Sequence, residues 1–494
     1  DVISLEMDYR VTFQNENGEN EEYQVKDYFR VKQTNIRMYL LDYKRTTERI
    51  FYSDSPVFTE TSLNLGIQWD EIPYKSNEEG SVVNFVVSDE LWSYDVGQNK
   101  LSKVFSFKNG NDKRGLHDEF EIQLVNMEDS GSMDFIVKGY MNRGIHEGES
   151  GIAVMRYDSL TNTTEELLFI ESKECADVIA QTVGELTYIS YDDKMYVSLS
   201  GDIYAIDLNI KSVETLTEDL KSGDYLISRA GDMIAWQHGT DRFSSSQITT
   251  MDMKTGVRHT YNAKSGEYLR ALGFSGDDFI YGVCLEADVA EDFAGNTLFP
   301  MHRVEIVDSK GDLIRDFDYL SKNKYVVSAT MENNRINLQC ISKNDDGSYV
   351  EALAETITSS EEEQASSIQL SEVKHDVKKV EQIFKHKAEA KGKRKLITPK
   401  QVIFEENRNL VFEEEESVAF HAYGRGDMLG VHGEIRNAIV QAYDKMGVVT
   451  DHKGQVVWER GNRKTRSVLE LANGMEILEA NSSLEAGLRI LLEQ

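Results

Sequence analysis

The chain has 494 residues, 40% of them hydrophobic and 28% charged, and its 86 acidic and 54 basic side chains leave a formal net charge of −32. Enough apolar surface is present for more than one core, which excludes a disordered polyelectrolyte. So acidic a surface repels phosphate backbones and anionic lipid, which excludes a nucleic-acid partner. Only 4 prolines occur, so the turns fall to Gly, Asn and Asp, the residues of tight hairpins. The 3 cysteines, Cys175, Cys284 and Cys340, are widely spaced and form neither a zinc pattern nor a disulfide framework. No apolar run is long enough to cross a membrane as a helix. The chain starts at Asp1; a tether or signal in a missing N-terminal segment is the expectation that follows.

In chain order, one unit recurs. An alternating strand ends in aspartate, a short polar turn follows, and a second strand returns. The copies are MYLLDYKRTTERIFY at Asp42, LWSYDVGQNKLSKVFSF at Asp95, AVMRYDSLTNTTEELLFI at Asp158, IYAIDLNIKSVETL at Asp207, ITTMDMKTGVRHTY at Asp252 and VEIVDSKGDLIRDF at Asp308. A weaker copy, LQCISKNDDGSYVEAL, turns at Asp345 to Gly347. The aspartate carboxylate can bond the turn backbone, and the Asn, Gly or Lys after it tolerates left-handed geometry. Between the hairpins lie further alternating strands such as VNFVVSDELWSY and YLISRAGDMIAWQ. A period near 50 residues with several strands per unit is the mark of propeller blades. The repeat resembles the degenerate blades of WD40-like, PQQ-like and TolB-type propellers, carried by Tyr94-Asp95, Tyr157-Asp158, Ile206-Asp207 and Val307-Asp308. The Gly-His and Trp-Asp marks of true WD40 blades are missing. The expected fold is mainly β: a propeller of about seven blades over residues 1–360, with six or eight blades or a β-sandwich series as alternatives.

Residues 361–396 read as a charged linker, acidic at first and strongly basic after His375. Val373, Val377, Val380 and Phe384 lie at helical spacing, so the linker is expected to be partly helical. Residues 397–494 read as a small α+β domain. In it, EIRNAIVQAYDKM carries Ile435, Ala438, Ile439, Ala442, Tyr443 and Met446 on one helical face. GVVTDHKGQVVWER reads as a hairpin, and the tail SLEAGLRILLEQ as a helix. The stretch from Phe420 to Lys464 resembles a segment of uncharacterised extracytoplasmic proteins of Gram-positive gut clostridia and, more loosely, the peptidoglycan-binding SPOR fold. A papain-like peptidase domain can follow it in such proteins, but no cysteine lies beyond Cys340 here.

Gly424 to Gly430 (GRGDMLG), expected between a strand and a helix, has the spacing of a tight turn and not of a dinucleotide loop. No P-loop, HExxH or nucleophile-elbow motif occurs. His421 and His432 come nearest to a metal pair and lack a third ligand, so no metal and no cofactor is expected. The acidic pairs, such as Asp192-Asp193 and Asp277-Asp278, lack calcium-loop spacing and read as turns. Aromatic side chains on a propeller face are good platforms for sugars or peptides. The candidate binding residues are therefore Trp92, Trp236, Trp458, Tyr423, Arg425 and His421. The expected protein is an extracytoplasmic, cell-surface binding or scaffolding monomer whose partner is a protein or a cell-wall glycan. The alternative is an enzyme, or the non-catalytic part of a cell-wall peptidase.

Overall fold

The structure, a computed structural model, describes residues 2–460 except 15–17, 19, 56, 111, 118, 200, 219, 221–223, 240–242, 292–296, 333–334, 359–367, 375–379, 404–407 and 413–418, and beyond them 468–469 and 478–479. The chain divides into two compact units, Asp1–Thr182 with Ser366–Gln494, and Val183–Ala365. Most described residues lie in strands of antiparallel sheets.

The first unit opens with β1 (Val2–Gln14), β2 (Asn20–Gln33) and β3 (Met38–Arg49), an antiparallel sheet in that order. Asp42 lies inside β3, opposite Arg30 and beside a bulge, so the hairpin expected there does not form. Tyr43 to Thr47 follow it with neither Gly nor Asn, and β-branched and aromatic residues favour continuing a strand over turning it. After β4 (Ser62–Ile67) come two meanders: β5 (Tyr74–Ser76), β6 (Val82–Val87), β7 (Glu90–Asp95) and β8 (Lys100–Phe105), then β9 (Phe120–Met127), β10 (Met133–Tyr140), β11 (Ser150–Asp158) and β12 (Thr163–Ser172). A short helix, α1 (Ala176–Thr182), follows.

The second unit repeats the theme. Its meanders are β13 (Val183–Ile189) to β16 (Val213–Thr217) by way of β14 (Lys194–Leu199) and β15 (Asp202–Asp207), then β17 (Tyr225–Ile227), β18 (Met233–His238), β19 (Gln247–Asp252) and β20 (Arg258–Asn262). Next come β21 (Glu267–Ser275), β22 (Asp278–Leu285), the two-residue strands β23 (Ala290–Glu291) and β24 (Thr297–Leu298), β25 (Met301–Val307) and β26 (Leu313–Asp318). The last group, β27 (Tyr325–Glu332), β28 (Arg335–Lys343) and β29 (Tyr349–Thr358), joins β25 at Met301↔Val326. A series of small antiparallel meanders of this kind is a propeller-like, repeat-rich β architecture.

The aspartate hairpins at 95, 158, 207, 252, 308 and 344–348 form as their chemistry dictates. Asp158 accepts from Leu160 N (2.8 Å) and Thr161 N (3.0 Å), Asp207 from Asn209 N and Ile210 N (both 3.0 Å), and Asp308 from Lys310 N and Asp312 N (both 2.9 Å). Each turn closes through one left-handed residue: Asn99, Asn162, Lys211, Gly256, Gly311 or Gly347. The central strands β6, β7, β10, β14, β18 and β22 are buried on both faces, so within each unit neighbouring sheets share apolar layers. Trp236 and Met251 pack with Tyr196 and Ile203, and Phe135 and Tyr157 with Leu91 and Val104.

The first unit resumes with β30 (Ile368–Lys374) and β31 (Val380–His386), which pair with each other and, through β31, with β4. The expected helix over Val373–Phe384 is therefore not what forms. Gln382, Phe384 and His386 are buried at alternate positions, and the edge of β4 offers a ladder that a helix could not use. Gly66 lies in this ladder at φ +79, where a Cβ would run into Arg49. Three short strands then add in parallel to meander edges: β32 (Lys395–Ile397) to β8, and β33 (Lys400–Val402) and β34 (Asn409–Val411) to β12. Last come β35 (Phe420–Gly424), β36 (Asp427–His432), α2 (Ile435–Asp444), β37 (Val448–Asp451) and β38 (Val456–Glu459), with sheet order β36-β35-β37-β38. Helix α2 buries Ala438, Ile439 and Ala442 against Ala422, Val449 and Trp458. A two-residue pair, β39 (Val468–Leu469) with β40 (Leu478–Glu479), follows. The tail expected as a helix, 483–494, lies outside the described residues.

Candidate interaction surface

Three of the six sequence-chosen residues are core residues. Trp92 and Trp236 are 2% exposed and Trp458 5%. Trp92 meets Phe51, in the loop after β3, edge-on at 5.2 Å, and Trp458 packs under α2. This corrects their reading as ligand platforms: β7 and β18 are buried on both faces, Trp458 is the buried position of β38, and each indole fills an apolar layer. Trp69, in the loop after β4, is the tryptophan that is 51% exposed.

Of the other three, His421 and Tyr423 alternate with Ala422 along β35, on the phase away from α2, and Arg425 lies in the turn that follows. Burial lowers the pKa of His421 and pushes the Tyr423 hydroxyl up to about 12. His421 and His432 do not form a pair: His421 stands opposite Val431 in the ladder, one register from Phe420↔His432, and His432 bonds Gln441 at 2.7 Å. The GRGDMLG segment joins two strands and not a strand to a helix. Arg425 and Gly426 make its turn at φ +60 and +92.

That turn docks on the N-terminal sheet. Arg425 Nε donates to Asp42 at 2.8 Å, Lys44 pairs with Asp427 at 2.6 Å, and Arg30 donates to the Met446 carbonyl. A Cβ at Gly426 would run into the Glu6 carboxylate. Glu6, Arg30, Asp42 and Lys44 all belong to one face of the sheet, by its register. The Arg-Gly-Asp tripeptide is thus held in an intramolecular contact.

The opposite face is of another kind. In β1 every odd position from 3 to 13 is apolar or aromatic (Ile3, Leu5, Met7, Tyr9, Val11, Phe13), and every even position from 4 to 14 is polar or charged. The ladder places these beside Tyr23, Val25, Phe29 and Val31 of β2 and Met38, Leu40 and Tyr43 of β3. Phe29 meets Tyr43 at 4.9 Å and Phe13 meets Tyr23 at 5.8 Å. At its centre Asp27, 2% exposed, accepts from Arg45 Nε and Nη2 (both 2.7 Å), Tyr9 Oη (2.9 Å) and Tyr43 Oη (3.0 Å). The Arg45 guanidinium, with both phenols, lowers the Asp27 pKa to about 2. Eight large side chains of this face remain 41–61% exposed: Ile3, Leu5, Met7, Val11, Phe13, Met38, Leu40 and Tyr43. Contiguous apolar surface of this extent marks an interaction site. The sequence signal of this face is the strict alternation in VISLEMDYRVTF, which lies outside the aspartate-led repeat.

No family model matches the chain and no curated protein matches it. Solved structures that align with it include the mitotic checkpoint complex, with 14% identity and a TM-score of 0.30 over 68% of this chain and 97% of that one. A dipeptidyl peptidase 4 of Porphyromonas gingivalis aligns with 11% identity and a TM-score of 0.28 over 65% of this chain and 59% of that one. A eukaryotic initiation factor structure aligns with 6% identity and a TM-score of 0.29 over 75% of this chain and 97% of that one.

Proposed function

We propose that the chain is a binding or scaffolding protein, working outside the cytoplasm, that holds protein partners through the apolar face of β1–β3. The observation that carries this reading is that face: eight exposed large apolar side chains on one side of a regular sheet, around a satisfied Asp27–Arg45 pair. The meander series is the rigid support in this reading. We take it as a seven-bladed propeller, counting β30–β31–β4 with the six hairpin-led groups, and β35–β38 with α2, residues 420–459, as a small α+β domain. A cell-wall glycan is the second ligand class for that domain.

The test is binding of the full chain and of a Leu5→Glu/Leu40→Glu variant to solubilised envelope proteins and to wall polysaccharide. Both positions are exposed, so the fold is expected to tolerate the charges. Protein binding that falls at least tenfold in the variant, with glycan binding unchanged, supports the reading. Equal protein binding by both forms removes the β1–β3 face from function. Release of the chain with the cytoplasmic fraction of its native cell would overturn the extracytoplasmic assignment.

A further inference from the structure

We infer that the occupant of the β1–β3 face is a second copy of the same chain, packed face to face as the other half of a β-sandwich. The inference rests on the interaction-surface reading and names its partner.

Area is the first argument. At about 200 Å² per large side chain, exposures near one half on eight residues leave roughly 800 Å², which is what each partner of a standard interface buries. The second argument is charge. The ion pairs on this face, Arg45 with Asp27 (2.7 Å) and Arg49 with Glu21 (3.3 Å), are each neutral in sum. A partner of strongly charged surface therefore finds nothing here to recognise, whereas an identical face meets no net like charge. The third argument is architecture. A three-stranded sheet with a polar face held in part by the β35–β36 turn and an opposite face whose large apolar side chains stay half exposed is suited to serve as one layer of a two-layer structure. Strands of 12–14 residues give a long flat surface, and a twofold axis through it makes the contact self-complementary and closed. Glu6, Arg30, Asp42 and Lys44, on the opposite face, carry the contact with the β35–β36 turn and its neighbour Met446, so pairing through the apolar face leaves that contact intact.

The experiment is sedimentation equilibrium of the full chain from 0.1 to 100 µM, beside Leu5→Glu/Leu40→Glu, with an apolar fluorescent dye as a second readout. The expected result is a dimer with a Kd in the micromolar range or below, weakened about 100-fold or more by the double substitution, at unchanged circular dichroism and thermal midpoint. A monomer throughout that binds the dye, with binding lost in the double variant, overturns the second copy and leaves the open face for another protein. A monomer that does not bind the dye overturns both readings, because the face is then covered by the chain itself. A dimer of equal strength in both forms places the contact elsewhere and overturns the inference.

Discussion

Phe384→Ala is the sharpest test of how residues 380–397 are held. The sequence makes this stretch a basic linker; the structure makes Phe384 a core residue, 1% exposed, with its ring 4.9 Å from Tyr74 and 5.6 Å from Phe85. Losing the buried ring costs about 2–3 kcal/mol of transfer energy, and each of the two aromatic contacts about 0.5–1.5 kcal/mol more. The expected loss is about 4 kcal/mol, within the range of about 3–5 kcal/mol for such truncations. A chain with two units need not unfold in one step, so the local readout is amide exchange in β4 and β31. A loss of that size speeds exchange of both strands together by roughly three orders of magnitude, at about 1.4 kcal/mol per tenfold. The control is Leu160→Ala, on a turn and 83% exposed, which is expected to change nothing. If β31 amides exchange freely in the unmodified chain, or Phe384→Ala costs under about 1 kcal/mol, the strand assignment is wrong.

Gln382→Ala strips two buried bonds, from Ile72 N (2.9 Å) and to the Asp70 carbonyl (2.6 Å), and is expected to cost about 1–3 kcal/mol in a urea titration. Asp158→Ala leaves two turn amides without their carboxylate acceptor at an exposed hairpin; the expected cost is about 1 kcal/mol, read as a shifted urea midpoint at constant slope. Acid stability has a definite sign. Asp27 is held down by Arg45, and Asp158 by the Thr161 amide, below the ordinary carboxylate range. Their stabilisation is fully present above the unfolded value of about 4 and is lost as pH falls through the folded values, for Asp27 near about 2. Thermal midpoints measured from pH 5 to pH 2 are expected to fall less steeply in Asp27→Asn than in the unmodified chain, and equal slopes would remove Asp27 from acid unfolding.

What the sequence shows of this fold follows the range of the interactions. The hairpins at Asp95, Asp158, Asp207, Asp252 and Asp308 are local chemistry, a carboxylate bonding amides two to four residues on, and can be read from a few letters. Asp42 has the same apolar lead-in but lacks the left-handed residue, and that missing residue marks the difference between a turn and a longer strand. Residues 373–384 mislead for the opposite reason. Their charge is real, but Val380–His386 form a strand because they pair with β4, more than 300 residues earlier. For Trp92 and Trp236 the strand is legible and its depth is not, because β7 and β18 are buried on both faces, and alternation does not say whether a sheet is covered on one side or two.

The same ambiguity is why β1 matters. Its strict alternation would describe a strand with one buried face, and here the apolar phase stays exposed as the polar one does. A long open edge with an apolar face is ordinarily an aggregation hazard. Two features restrain it: the bulge at Leu41, which breaks the regular edge of β3, and the −32 net charge, which keeps copies apart until the neutral faces meet. Attraction here is short-ranged and apolar, and repulsion is long-ranged and electrostatic. Salt therefore screens the second and spares the first. Association through this face is expected to tighten as ionic strength rises from about 10 mM to about 500 mM, the reverse of a contact built on surface ion pairs. A complex that loosens with salt would mean that charged groups, such as those holding the β35–β36 turn, carry the contact instead.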